Sequence, residues 1–245
     1  MHPSQYAKLH PDKPAVVMAE SGEVVTYAAL DARSNQAAHV FRQAGCRIGD
    51  AVAIVATNSP RYHELVWGAQ RSGLYFVCIS SRLTAPEVAY IVKDSGARLL
   101  IASPDVEAAS GQLCGLLPGV DMYAVGGAIE GFRSWDAATA QAPTTPIADE
   151  RAGIDMLYSS GTTGRPKGVE KPLPENPDIN AESSLAQRSR NVFGMGENTV
   201  YLSPAPLYHA APLRFTMSIQ ELGGTVVVME HFDAEAALAL IERHR

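Results

Sequence analysis

Along the first half of the chain, short apolar runs at residues 51–56, 74–79, 98–102 and 120–125 alternate with segments of helical character. A strand–helix–strand rhythm of this kind points to α/β architecture: alternating βαβ units, with mostly parallel sheets covered by helices. Helix boundary signals reinforce it. Thr26 is placed to cap a helix ending at Gly45, with Leu30, Ala37, Val40, Phe41 and Ala44 as its apolar face. Ser59-Pro60 supplies a cap and an N1 proline for a helix closed by Gly73. Thr84-Ala85-Pro86-Glu87 fits a capping box and opens a helix ending at Gly96. The pattern also predicts a helix over 104–117, strands at 14–18, 154–158, 199–203 and 225–229, and a helix over 181–192. A loop is expected over 203–212, irregular backbone over the Pro- and Asn-containing 170–180, and a last helix capped by Asp233.

With 245 residues the chain can bury one large or two modest cores. The stretch 141–150, rich in Pro, Thr and Ala, reads as a subdomain break or as a surface loop within one domain. Net charge is −6, and no Lys/Arg cluster marks a nucleic-acid partner. The longest apolar stretches are far too short for a transmembrane segment, and the N-terminus lacks a signal pattern, so a cytoplasmic location is expected. Cys46, Cys78 and Cys114 form neither a C-x-x-C pair nor a zinc spacing, and Cys78 reads as a core residue. His2 and His10 read as solvated, and surface placement is the default for His39 and His63. The acidic residues show no paired motif, which leaves glycosidase or protease chemistry without support.

The chemistry-bearing run is Tyr158-Ser159-Ser160-Gly161-Thr162-Thr163-Gly164-Arg165-Pro166-Lys167-Gly168-Val169. Glycines allow close backbone approach to a ligand, hydroxyls and exposed N–H groups donate to anionic oxygens, and lysine adds a full charge. That combination suits a polyphosphate. The Walker spacing G-x-x-x-x-G-K-[ST] fails, because Pro166 stands where its second glycine belongs and Gly168 follows Lys167.

The run instead resembles the signature of the adenylate-forming superfamily, which includes acyl-CoA synthetases and peptide-synthetase adenylation domains. Other segments carry the same resemblance in the right order. Val24-Val25-Thr26-Tyr27-Ala28-Ala29-Leu30 is similar to an early strand-to-helix element, and Gly68-Ala69-Gln70-Arg71-Ser72-Gly73-Leu74-Tyr75-Phe76-Val77 to a helix–Gly–strand segment. Pro204-Ala205-Pro206-Leu207-Tyr208-His209 resembles the substrate-side loop. The segment after Val169, beginning Glu170-Lys171-Pro172, and the Ala210-Ala211-Pro212 after His209 depart from the usual pattern, which bears on the substrate class.

The resemblance implies ATP-dependent activation of a carboxylic acid to an acyl-adenylate and then to a coenzyme A thioester. A fatty, aromatic or steroid-like acid is the implied small-molecule partner. Ser159, Ser160, Gly161, Thr162, Thr163, Gly164, Lys167 and Gly168 are the implied ATP-binding residues. Thr162 is the implied Mg²⁺ contact, a hard hydroxyl oxygen suited to that ion, and Lys167 would meet the distal phosphates. His209 is the implied catalytic residue, near the substrate carboxylate and the thiol channel. The family's later Tyr-Gly-x-Thr-Glu motif, its ribose-binding Gly-Asp pair and its mobile lysine-bearing domain are not found in the sequence. The chain therefore reads as a partial N-terminal, AMP-binding domain over residues 1–245, without the C-terminal catalytic-lysine domain and inactive in isolation. The alternatives are an inactive nucleotide-binding fragment or split half, and an acyl-AMP ligase or adenylation domain. Ending inside a βαβ pattern would leave a sheet edge open to a second copy, so a homodimer is a further expectation.

Overall fold

The computed structural model describes residues 1–109, 111–159 and 166–244. In chain order its elements are α1 (Pro3–Leu9), β1 (Pro14–Met18), β2 (Val24–Thr26), α2 (Tyr27–Gln43), β3 (Ala51–Val55), α3 (Tyr62–Arg71), β4 (Tyr75–Cys78), α4 (Ala85–Asp94), β5 (Leu99–Ala102) and α5 (Gln112–Leu116). They continue as β6 (Asp121–Ala124), β7 (Arg133–Ser134), α6 (Trp135–Ala140), β8 (Ile154–Asp155), β9 (Leu157–Ser159) and β10 (Lys167–Val169). The last are α7 (Ser184–Phe193), β11 (Val200–Ser203), α8 (Ala210–Glu221), β12 (Thr225–Val228) and α9 (Ala234–Arg243). The chain divides into two compact units. The first comprises Met1–Ala32, Asn58–His63 and Asn180–Arg245; the second comprises Arg33–Thr57 and Glu64–Ile179.

The second unit is built on a sheet of order β7-β6-β5-β3-β4-β8, parallel at every pairing. Every residue of β3, β4 and β5 is buried. Strands covered on both faces read as unbroken apolar runs instead of alternating ones, which is why they stand out in the sequence. The α4 capping box forms as expected: the Thr84 N–H and hydroxyl donate to the Glu87 carboxylate at 2.8 and 2.7 Å. At the other end of the sheet, Trp135 is fully buried and packs on Phe41 and Tyr123 at centroid distances of 5.5 and 5.6 Å. Residues of the 141–150 stretch are held within this unit. Asn35 and Gln36 donate to the carbonyls of Thr144 and Ala142, Arg42 meets Asp149 at 3.1 Å, and Arg71 meets Glu150 at 2.7 Å.

Two helix expectations change here. Among the described residues of the span 104–117 only α5 is helical. The backbone before it is spent on turns: Val106 N–H bonds Ser103 O, Ala109 N–H bonds Val106 O, and Glu107 N–H reaches Ser81 O. The helix after Ser59-Pro60 starts later than expected, at Tyr62, because a turn closed by Tyr62 N–H to Ser59 O comes first.

The first unit carries a sheet of order β11-β12-β1-β2. β11, β12 and β1 are parallel, and β2 returns antiparallel to β1. Tyr27 buries its ring and donates to Gly224 O at 2.7 Å. Gly223 has φ +80° and lies against Tyr6, where a Cβ would collide with the ring, so this turn requires glycine twice over. Asp233 caps α9, accepting from Ala236 N–H at 2.8 Å. Leu240 faces the core, while Phe232, Leu238 and Ile241 are exposed.

Two histidines expected at the surface are buried. His2 caps α1, its Nδ1 accepting from Ser4 N–H at 3.1 Å. His63 is fully buried with Nε2 3.0 Å from Thr216 Oγ1, and that hydroxyl donates to Leu213 O. The loop expected over 203–212 ends early, since α8 begins at Ala210. Pro212 lies in its first turn, where a missing N–H removes no helical bond.

Candidate functional site

The glycine-rich run begins where the second unit's sheet ends. β8 pairs with β4 at the sheet edge, and Gly153 just before it lies too close to the Leu74 backbone for any side chain. The expected single strand over 154–158 is broken at Met156. The chain then leaves the sheet as β9, which pairs antiparallel with β10. The register sets Lys167 opposite Ser159, Gly168 opposite Tyr158 and Val169 opposite Leu157. A two-stranded hairpin thus brackets the run, with Ser159 and Lys167 facing each other at its base.

Ser160, Gly161, Thr162, Thr163 and Gly164 lie outside the described residues, and Ser159 is placed through its backbone. Lys167 is exposed. Gly168 has a role the sequence did not suggest. A Cβ at this position would stand 2.9 Å from both Cζ and the hydroxyl oxygen of Tyr158. Its missing side chain makes room for a tyrosine ring on the neighbouring strand.

That ring is anchored. The Tyr158 hydroxyl donates to Asp94 Oδ2 at 2.7 Å. Burial pushes the phenol's pKa well up, and the Asp94 hydrogen bond and charge push it further, so it remains a donor at neutral pH. Two more phenols hold the same segment: Tyr90 donates to Pro166 O at 3.3 Å, and Tyr75 to Lys171 O at 2.8 Å. Burial raises the Tyr75 pKa, with the nearby Glu170 charge adding to it. None of these tyrosines was singled out from sequence. Alternation in a hairpin, which pairs Tyr158 with Gly168, is the signal that could have marked the first.

His209 belongs to the first unit, as the residue that caps α8. Its backbone is extended, at φ −81° and ψ 147°, and its imidazole makes no capping bond. The ring is exposed and leans on Tyr208, with centroids 4.3 Å apart. One amide fixes the loop before it. Asn58 Oδ1 accepts from Leu207 N–H at 2.8 Å, while Nδ2 donates to Met229 O at 2.8 Å and Ala205 O at 3.2 Å. Leu207 is fully buried beside these bonds. The loop therefore presents His209 to solvent from a pinned base. Asn58 lay unremarked in Thr57-Asn58-Ser59-Pro60, where it looks like an ordinary turn residue.

Among the described residues, no three His, Cys, Asp or Glu side chains gather as a metal site. Among them too, no helix is long and apolar enough to cross a membrane.

Residues 4–245 match the family described as AMP-binding enzyme. A feruloyl-CoA synthase from Amycolatopsis sp is 33% identical over 99% of this chain and 46% of its own length. The fatty acid–[acyl-carrier-protein] ligase ScoC of Streptomyces coeruleorubidus is 32% identical over 97% of this chain and 44% of its own. The crystal structure of a protein assigned as a long-chain fatty-acid CoA ligase, from Rhodopseudomonas palustris, superposes with a TM-score of 0.83 at 24% identity, over 99% of this chain and 60% of that one. The chain spans about half the length of the curated relatives it matches.

Proposed function

The chain belongs to the AMP-binding enzyme family, and on that premise we propose that its hairpin segment binds the phosphates of ATP within a protein that activates carboxylic acids. The observation that supports this most directly is the β9–β10 register, which brackets a glycine- and hydroxyl-rich run between Ser159 and an exposed Lys167.

In the proposed reaction a carboxylate oxygen of the acid attacks the α-phosphorus of ATP. The bond from that phosphorus to the bridging oxygen breaks, and pyrophosphate leaves with the electron pair. A thiol then attacks the acyl carbon of the adenylate, loses its proton and releases AMP. The first step sets an anion against a polyanion, so fixed donors must offset the repulsion. Ser159, Ser160, Thr162 and Thr163 supply hydroxyls, Gly161 and Gly164 allow close approach, and Lys167 meets the β- and γ-phosphates as a point charge. Mg²⁺, when bound, would neutralise phosphate charge, with the Thr162 hydroxyl as the candidate protein contact. His209, exposed at the α8 N-terminus, is proposed to donate to charge developing on the acid or to gate the thiol.

The acid class follows the relatives, whose names specify a ferulate and a fatty acid. For the acceptor, coenzyme A is the first reading. The likeness to an acyl-carrier-protein ligase supports a second, in which the thiol is carried by a protein.

The test is calorimetry of the chain with ATP and AMP, as wild type and as Lys167→Ala. A charge-assisted contact is worth about 1.5–3 kcal/mol, so ATP affinity should fall roughly 10- to 100-fold. AMP affinity should stay within about twofold, since AMP lacks the phosphates that Lys167 meets. Equal loss for both nucleotides, or no ATP binding by the wild-type chain, overturns the assignment.

A further inference from the structure

We propose that Asp94 and Tyr158 are positioning residues that hold the β9–β10 hairpin where Lys167 can reach the distal phosphates of ATP. This rests on the ATP-binding reading of the same segment.

The hairpin has three residues in each strand. A two-stranded ribbon of that length is marginal by itself, so its place must be set from outside. Tyr158, within β9, reaches out through its 2.7 Å bond to Asp94. The partner's placement supports a purpose beyond helix stability. Asp94 is the last residue of α4, at the negative end of the helix dipole, where a carboxylate is unfavourable unless a donor compensates it. The phenol is that donor. The other side of the ring is fitted too, because Gly168 leaves it the space on the opposite strand. The anchor therefore acts on both strands at once: it bonds β9 directly and sets the height of β10 through the Tyr158–Gly168 contact. Lys167 is the neighbour of Gly168 on β10, one residue from that contact. A site that meets a polyanion gains by having its donors placed beforehand, and an anchor at the hairpin base supplies that.

Loss of a merely structural bond would lower stability without favouring one nucleotide over another. Five variants of the chain separate the two cases: Tyr158→Phe, Asp94→Ala, the combination of these two, Asp94→Asn and Lys167→Ala. ATP and AMP affinities are read by calorimetry beside thermal unfolding. The expected result is a loss of ATP affinity of about tenfold in Tyr158→Phe and in Asp94→Ala, in keeping with one hydrogen bond to a charged group. AMP affinity stays within about twofold, and the double variant is no weaker than the weaker single. Asp94→Asn, whose amide oxygen still accepts, keeps most of the ATP affinity. Tyr158→Phe retains the ring against Gly168 and carries the test if Asp94→Ala fails to fold. If Lys167→Ala weakens ATP while Tyr158→Phe leaves it unchanged, the positioning role falls and the phosphate reading stands. Equal loss of ATP and AMP in Tyr158→Phe also overturns the positioning role. If Lys167→Ala leaves ATP unchanged, the phosphate reading falls and takes the positioning role with it.

Discussion

Gly168 stands directly opposite Tyr158 across the β9–β10 hairpin, and a methyl group on it would lie 2.9 Å from the tyrosine's hydroxyl and ring carbon. The same hydroxyl is held by the bond to Asp94 at 2.7 Å. The glycine is thus tied to its cross-strand neighbour.

Gly168→Ala should therefore destabilise the chain by about 1–3 kcal/mol, the usual range for overpacking a fitted contact. Urea denaturation measures it. In a Tyr158→Ala background the same substitution should cost much less, because the collision is removed. Additive effects in the pair would show that the contact does not matter.

Asn58 makes its three bonds with one acceptor and two donors on a single amide. Asn58→Asp keeps the acceptor for Leu207 but sets a carboxylate against the carbonyls of Ala205 and Met229. A loss of about 2–4 kcal/mol is expected at pH 7, since two backbone acceptors are left facing a charge. Protonation would restore a donor, so the deficit should shrink as pH falls. A deficit unchanged between pH 7 and pH 4 would contradict this.

His63 gives a separate pH signature. Burial lowers its pKa from 6.5 to about 4. Thr216 already donates to Leu213 O, which leaves its oxygen to accept from Nε2–H, and burial favours the neutral ring. Above the unfolded pKa neither state binds the proton, and the contribution to stability is fully present. As pH falls from about 6.5 to about 4, only the unfolded chain takes up the proton, and stability drops by on the order of 3 kcal/mol. Denaturant midpoints at pH 7 and pH 4.5 should show a smaller fall in His63→Gln than in the wild type. Parallel profiles would remove His63 from the account.

The thiols should differ in reactivity. Cys46 and Cys78 are buried, and burial, aided by the charge of Asp50, pushes the Cys46 thiol up to about 11. Cys114 is partly exposed. Ellman's reagent should modify Cys114 first in the native protein and reach the other two on unfolding, since the thiolate is the reacting form. Simultaneous reaction of all three in native buffer would contradict the burial.

The strands of the parallel sheet were legible because β3, β4 and β5 are covered on both faces, and nothing polar interrupts them. Cap signals at Thr84, Thr26 and Asp233 were legible for a similar reason: each acts within a few residues of itself. The elements missed were α1, β7, α6, β10 and α8, and α5 proved shorter than expected. Their boundaries depend on partners far along the chain, as with Glu107 N–H taken by Ser81 O.

By itself the sequence determined the α/β class, the helix caps and the composition of the glycine-rich run, because each is a matter of local pattern. Tertiary structure alone decided that this run is bracketed by a hairpin and that Gly168 serves Tyr158. It also decided that Asp94, 64 residues before Tyr158, anchors the hairpin, and that Asn58, 149 residues before Leu207, pins the loop bearing His209. The physical reason is range. Periodicity and capping report a residue's neighbours in the chain, whereas a hydrogen bond or a packed ring depends on which distant segment the fold brings beside it.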